Sequence, residues 1–135
     1  MNSDEILDYI KKLKGNGLYV QAKNVMRYAM EKYDGNEKFL FHLLPIFTSC
    51  CREMGCAEEA IITAESYYPR IEPSVALCTS LAAACCDMKN YDKAKWYARM
   101  AYAKQGGGQG YKTELSLVFL RLKKETGESL LDEEK

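Results

Sequence analysis

The side chains best suited to chemistry in this chain are its single histidine and its six cysteines. His42, Cys50 and Cys56 are the nearest of these in sequence. A structural zinc site needs four convergent ligands, but the chain has no C-x2-C pair, and His42 and Cys50 are roughly two helical turns apart. The same two residues lack a nearby orienting carboxylate and an oxyanion donor. The sequence therefore predicts no metal site, no cofactor and no catalytic residue, and hence no enzyme.

Two further patterns are better explained by surface and connector roles. The acid pairs Glu58-Glu59 and Glu133-Glu134 fall on polar faces or in the tail, where solvated carboxylates are ordinary. The glycine-rich stretch 106–110 is followed by no Lys-Ser/Thr pair and preceded by no predicted strand. It therefore predicts a flexible connector rather than a phosphate-binding loop.

Basic side chains are the remaining candidates, as contacts to phosphate. Lys93, Lys95 and Arg99 surround Trp96, and a basic, aromatic face can bind phosphates and stack bases. However, the 135-residue chain has 19 Lys+Arg and 19 Asp+Glu, so no net field attracts nucleic acid or an anionic membrane. Nucleic acid therefore remains an alternative partner and is not the main expectation.

Length and hydropathy limit the class of protein. A chain of 135 residues suits one domain, and its apolar runs are far shorter than the ~20 residues that span a bilayer. The polar, acidic start is unlike a secretory signal. Cys51, Cys78 and Cys85 fall on apolar helix faces, where free thiols pack as small hydrophobes. We expect a soluble cytoplasmic protein with reduced, buried thiols and no membrane partner.

The elements that position these residues are predicted to be helices. Apolar residues recur at three- and four-residue steps, and no segment has a sustained period-two pattern. Glycine and proline breaks give seven helices, at about 4–14, 18–33, 37–54, 57–68, 73–89, 90–103 and 111–126. We expect Ser3 or Asp4 to cap the first. We expect Pro45 to kink or restart the third, Pro73 to lie in the first turn of the fifth, and Asn90 to cap the sixth.

One pattern recurs along these helices. The equivalent positions, with spacings of 38 and 34 residues, are Ala22, Ala60 and Ala94 in each second helix, and Gly17, Gly55 and Lys89 in the turn before it. Small residues at such positions let neighbouring helices approach closely. Over residues 4–126 the chain thus resembles the tetratricopeptide repeat, a ~34-residue helix–turn–helix unit. The resemblance implies a right-handed α-solenoid of antiparallel helix pairs, with three repeats and a capping helix. It corresponds to one domain, 1–126, and a charged tail, 127–135.

The resemblance also implies a function, namely binding of a peptide or helical segment of a partner protein in a concave groove. The groove positions are Lys11, Lys14, His42, Ser49, Arg52, Thr79, Ala83, Leu117, Leu120 and Arg121. This set is basic at one end and apolar at the other, so the expected partner carries acidic and apolar side chains. We interpret the chain as a protein–protein interaction module, acting as an adaptor, chaperone or assembly factor.

Self-association is a second interpretation. Leu117 and Leu120 lie off the main apolar face of the last helix, which carries Leu115, Val118, Phe119 and Leu122. Leucines exposed together on a helix face are expected to be buried against other protein. Either the tail covers them through Leu130 and Leu131, or a partner or a second copy of the chain does, and the last case would make a homodimer.

Overall fold

The computed structural model describes residues 1–106 and 113–129. Over these residues the chain has seven α-helices and no β-strand, which confirms the predicted all-α class. None of these helices is both long enough and apolar enough to cross a lipid bilayer. The helices are α1 (Ser3–Gly15), α2 (Tyr19–Lys32), α3 (Glu37–Glu53), α4 (Ala57–Glu65), α5 (Val75–Asp87), α6 (Tyr91–Lys104) and α7 (Thr113–Thr126).

Two compact units divide the chain, Met1–Glu72 and Pro73–Lys135. In the first unit α1 packs against α2, α2 against α3 and α3 against α4, while α1 also lies beside α3. In the second unit α5 packs against α6, and α7 packs against both. A single domain over 1–126 stays a prediction. Most of the glycine-rich connector, the predicted start of the seventh helix, and Leu130 and Leu131 lie outside the described residues.

The first helix begins one residue earlier than the sequence predicts. Asn2, rather than Ser3 or Asp4, is its N-cap: the Asn2 side chain accepts from the Glu5 amide at 2.9 Å, and the Glu5 carboxylate accepts from the Asn2 amide at 3.1 Å. This reciprocal pair is a capping box, which satisfies two otherwise unpaired amides. The prediction that Ser3 or Asp4 caps α1 is therefore wrong by one or two positions.

Pro45 does not interrupt α3, which runs from Glu37 to Glu53 with the proline inside it. A proline removes the donor for the carbonyl four residues earlier, and here that carbonyl belongs to Phe41, a residue 40% exposed. Solvent can satisfy an acceptor on an exposed turn. The helix therefore continues, so the predicted restart at Pro45 is wrong, while the alternative of a kink stays a prediction.

The segment between α4 and α5 also differs from the prediction. α4 ends at Glu65, three residues short, because the Tyr67 and Tyr68 amides bond to carbonyls three residues back and tighten the chain into a turn. α5 begins at Val75, with Ser74 as an N-cap whose hydroxyl accepts from the Leu77 amide. Pro73 therefore precedes the cap instead of lying in the first helical turn.

The three turns predicted to be equivalent have the same backbone geometry. Gly17, Gly55 and Lys89 have φ values of 75°, 74° and 58°. At each turn the amide of the residue after the positive-φ position donates to the carbonyl five residues earlier, as Cys56 donates to Cys51 at 2.8 Å. The amide of the positive-φ residue itself donates to the carbonyl three residues earlier. These two bonds define a Schellman motif, which satisfies carbonyls at the end of a helix.

The repeated alanines Ala22, Ala60 and Ala94 are fully buried, each on the packed face of its helix. That face continues in α2 with Met26 and Ala29 and in α6 with Ala98 and Ala101, all fully buried. The aromatic residues beside the buried face of α6 differ sharply, since Trp96 is 54% exposed and Tyr97 is fully buried. Tyr97, rather than Trp96, is therefore the large side chain that α6 contributes to the core.

Replacing Lys89 with glycine is expected to stabilise the protein. Lys89 is the only non-glycine residue with positive φ in the described part of the chain. Holding a side chain at positive φ costs ~1–2 kcal/mol, and glycine avoids this cost. Because glycine loses more conformational entropy on folding, ~0.5–1 kcal/mol of that gain is offset. Urea unfolding of Lys89→Gly should show a gain of about 0.5–1 kcal/mol. Met88→Gly, at a φ of −87°, should lose stability, and a gain there would contradict the explanation.

Candidate functional site

A shallow opening of about 280 Å³ lies between α1 and α3 in the first unit. Its lining residues are Lys11, Lys14, Gly15, Tyr19, Ile46 and Glu53. The capping box and the buried face of α1, formed by Ile6, Ile10 and Leu13, fix the direction in which its lysines project. The structure thus brings two of the predicted groove residues, Lys11 and Lys14, onto one surface.

The charges of this α1–α3 opening are unbalanced. Two ammonium groups, from Lys11 and Lys14, share it with one carboxylate, from Glu53. Neither lysine forms an ion pair within residues 1–106 and 113–129. Ile46 and Tyr19 supply apolar surface in the same opening. The opening is therefore suited to a carboxylate next to an apolar group.

The other predicted groove residues of the first unit are placed elsewhere. His42 lines a separate opening of about 410 Å³, beside Phe41 and Arg70. Arg70 is already paired there with Asp34, at 3.0 Å. Ser49 and Arg52 are half-buried on α3 and line neither opening. These three side chains do not extend the α1–α3 opening.

Two predicted groove residues on α5 are buried. Thr79 is 8% exposed and Ala83 is 7% exposed. The Thr79 hydroxyl donates to the Val75 carbonyl at 2.8 Å, so its polar group is used within its own helix. α5 is apolar on nearly all sides, which the sequence shows as a run of small residues from 82 to 86. Little of either side chain is therefore accessible to a ligand.

The predicted residues of α7 are exposed or already paired. Leu117 and Leu120 are 59% and 63% exposed. Arg121 pairs with Asp87 at 2.7 Å and with Glu125 at 2.6 Å. Although burial opposes it, hydrogen bonding to these carboxylates raises the pKa of Arg121 above its ordinary value. Arg121 therefore ties α7 to the end of α5, and a ligand would have to displace both acids.

The basic face of α6 is also partly used inside the protein. Lys95 pairs with Glu128 at 2.6 Å, and this contact lowers the pKa of the Glu128 carboxyl. Lys93 and Arg99 also make interactions within the chain. Trp96 remains exposed among them. The charge that this face offers to a phosphate is thus smaller than the sequence indicates.

A cluster of thiols and charges that the sequence did not indicate lies beside the α3–α4 turn. Atoms of Cys51, Cys56 and Glu59 able to bind a metal lie within 4.8 Å of one another. Lys23 and Arg27, from α2, both pair with the Glu59 carboxylate. His42 and Cys50 are not part of this cluster. The three side chains that are nearest in sequence, His42, Cys50 and Cys56, are therefore not the three that the fold brings together.

The charges in this cluster influence one another. Burial alone would raise the pKa of Glu59, but hydrogen bonds from Lys23 and Arg27 outweigh it and lower that pKa. The Glu59 hydrogen bond in turn raises the pKa of Lys23. Arg27 also donates to the Thr63 hydroxyl at 3.1 Å and lies 4.7 Å above the Phe47 ring. With both Glu59 oxygens occupied by cations, a metal ion would have to compete for the carboxylate.

Arg27 also borders an opening of about 660 Å³ between α2 and α4. Its lining is mixed in charge, with Glu31 and Asp34 beside Arg27. Arg27 and Asp34 are already paired, with Glu59 and Arg70 respectively. Two of the three charged side chains that line this opening are therefore already engaged.

The ion pairs of Glu59 within the thiol cluster and the α2–α4 opening were missed for the same reason. Both depend on which residues meet across helices, and helical spacing within one segment does not reveal that. A signal for the thiols was present, because aligning Gly55 with Gly17 places Cys51 and Cys56 where Leu13 and Leu18 flank the first turn.

No protein-family model matches this chain, and neither a curated protein nor a solved structure matches it.

Proposed function

We propose that this chain is a helical-repeat binding module of the tetratricopeptide type, and not an enzyme. In this proposal its helix pairs stack as a right-handed α-solenoid. Two observations support the repeat: the three turns share one backbone geometry, and the stripes of small residues are buried at equivalent positions. Repeat proteins commonly bind partners along the surface that their stacked helices form.

The proposed ligand is a segment of a partner protein that carries a carboxylate beside an apolar side chain. The observation that carries this proposal is the α1–α3 opening, which Lys11 and Lys14 line together with Ile46 and Tyr19. Each exposed ion pair contributes little alone, ~0.2–1 kcal/mol. Affinity would therefore come from the apolar contact, while the lysines select the acidic partner and set its orientation.

Selection from a library of displayed random peptides on the immobilised full chain tests this. We expect enriched peptides to carry Asp or Glu next to an apolar residue. Fluorescence anisotropy should then show that Lys11→Glu combined with Lys14→Glu weakens such a peptide about tenfold, or ~1.4 kcal/mol, by removing two attractions and adding two repulsions.

Lys12→Glu is the matched control. Lys12 is an exposed lysine of the same helix that does not line the opening, so its reversal changes net charge without changing the site. We expect a change of less than about twofold. Equal weakening by Lys12→Glu, or enrichment of peptides without carboxylates, would show that binding is not at this opening.

Self-association through α7 is a second candidate, favoured by the exposure of Leu117 and Leu120. These leucines are three residues apart on one helix face, so a second copy could cover both at once. Light scattering should give a dimer mass for the natural chain and a monomer mass for Leu117→Lys with Leu120→Lys. A monomeric natural chain contradicts this candidate and leaves the peptide proposal untouched.

A further inference from the structure

The α3–α4 turn places two thiols side by side. The Schellman motif brings the side chains at its two ends into contact, and at this turn those ends are Cys51 and Cys56. At the α1–α2 turn the same positions hold Leu13 and Leu18. The sulfur atoms lie within 4.8 Å of each other, and the Cys56 thiol donates to the Cys51 carbonyl at 3.3 Å.

We propose that Cys51 and Cys56 form a peroxide-sensitive dithiol, which hydrogen peroxide converts to a disulfide across the α3–α4 turn. A disulfide needs a sulfur separation of about 2.0 Å. The sulfurs can approach by side-chain rotation, because the backbone hydrogen bonds of the turn already hold the two residues together. This inference does not depend on the proposed partner binding.

The two thiols differ in access, which sets the order of events. Cys56 is half-buried at the start of α4, where a small oxidant can reach it. Cys51 is fully buried, and burial raises its pKa to about 12. Because the thiolate is the reactive form, Cys51 is both shielded and protonated. Cys56 therefore meets peroxide first, and Cys51 reacts second.

The proposed chemistry balances with hydrogen peroxide as the oxidant. The Cys56 sulfur attacks one peroxide oxygen, the O–O bond breaks, and a sulfenic acid forms while the departing hydroxide takes up the Cys56 thiol proton and leaves as water. The Cys51 sulfur then attacks the Cys56 sulfur, the S–O bond breaks, and the hydroxide takes up the Cys51 proton and leaves as a second water. Two thiols are oxidised by two electrons, and one peroxide is reduced to two waters.

A metal ion fits the same cluster less well. A structural zinc site uses four ligands, whereas the described residues bring together three. One of these, Glu59, is engaged by the positive charges of Lys23 and Arg27, which would also repel a cation. A disulfide needs only the two sulfurs and leaves this ion-pair network in place.

The remaining cysteines are poorer candidates. Cys50, Cys78, Cys85 and Cys86 are all no more than 1% exposed. The Cys50 thiol is directed at the Tyr19 carbonyl, 3.3 Å away, rather than at another sulfur in its own turn. Oxidation should therefore be selective for the Cys51–Cys56 pair while the chain is folded.

Peptide mapping of the folded full chain after mild hydrogen peroxide treatment tests the proposal. Trypsin cleaves after Arg52, between the two cysteines, so a disulfide holds two otherwise separate peptides together. We expect this linked product from the natural chain, at two hydrogen atoms below the summed mass, and its loss on reduction. Its absence, or a link involving Cys78, Cys85 or Cys86 instead, would overturn the proposal.

Three variants identify the partners. Cys50→Ser is the matched control and should keep the link, whereas Cys56→Ser should lose it and leave Cys51 resistant to peroxide. Cys51→Ala should accumulate a sulfenic acid at Cys56 that dimedone traps. Loss of the link in Cys50→Ser, with retention in Cys51→Ala, would assign the bond to Cys50 and refute the pair. Because Cys56 is half-buried, its serine variant should fold even where Cys51→Ala is destabilised.

Discussion

Replacing Tyr97 with alanine is expected to lower the free energy of unfolding by about 3–5 kcal/mol, the range typical of removing a large buried aromatic side chain. Tyr97 is fully buried on α6, and its ring lies 4.9 Å from that of Trp96 between centroids. Truncation removes apolar contact and leaves a cavity that the helix backbone cannot fill. A loss of this size is a large share of the stability of a small domain.

Trp96→Ala is the matched control, because it truncates the neighbouring aromatic side chain on the same helix. Trp96 is 54% exposed, so we expect a loss below about 1 kcal/mol. Urea unfolding followed by circular dichroism compares the two variants without relying on the fluorescence of the single tryptophan. Equal losses, or a larger loss for Trp96→Ala, would show that the core of the second unit is packed differently.

Replacing Glu59 with glutamine is expected to cost about 1–2 kcal/mol at neutral pH, allowing for the partial exposure of the site. The substitution keeps the shape of the side chain but removes the charge that Lys23 and Arg27 share. Those two cations then face each other without a carboxylate between them. Urea unfolding near neutral pH measures the loss.

The cost of Glu59→Gln should depend on pH in a defined direction. The folded protein holds the pKa of Glu59 below its ordinary value of 4.5, so the folded state favours the ionised form. The stabilisation is complete above about pH 5 and is lost as pH falls through the folded-state value. The difference between natural chain and variant should therefore shrink as the pH falls below about 5.

Glu58→Gln provides the control for this pH dependence. Glu58 is the preceding residue, exposed on the same first turn of α4. Its replacement should change stability by no more than about 0.5 kcal/mol at any of these pH values. If the two variants had parallel pH profiles, the ion pairs of Glu59 would contribute nothing specific.

The sequence alone predicts the helices and most of their buried faces. Three- and four-residue spacing places Ala94, Ala98 and Ala101 on one side of a helix, whatever that side packs against, and all three are buried. The positive φ at Gly55 is likewise accessible, because glycine ends helices for a local steric reason. Features that depend on one helix and its own turns can thus be read from the chain.

Features that depend on neighbouring helices could not be predicted in this way. Tyr97 follows Trp96 directly, and only the packing of α6 in its unit decides which ring is buried. Thr79 is buried and Arg121 pairs with two acids, and neither outcome follows from helical spacing. Helical spacing indicates direction around an axis but does not indicate how much protein lies in that direction.

The shared geometry of the three turns also has a consequence for motion. The amides of Leu18, Cys56 and Asn90 each donate to a carbonyl of the preceding helix, so these short connections are not hinges. Their hydrogens should exchange with solvent deuterium far more slowly than those of an open loop, since exchange requires the bond to break first. The two helices of each pair should then move together as one rigid unit when a partner binds.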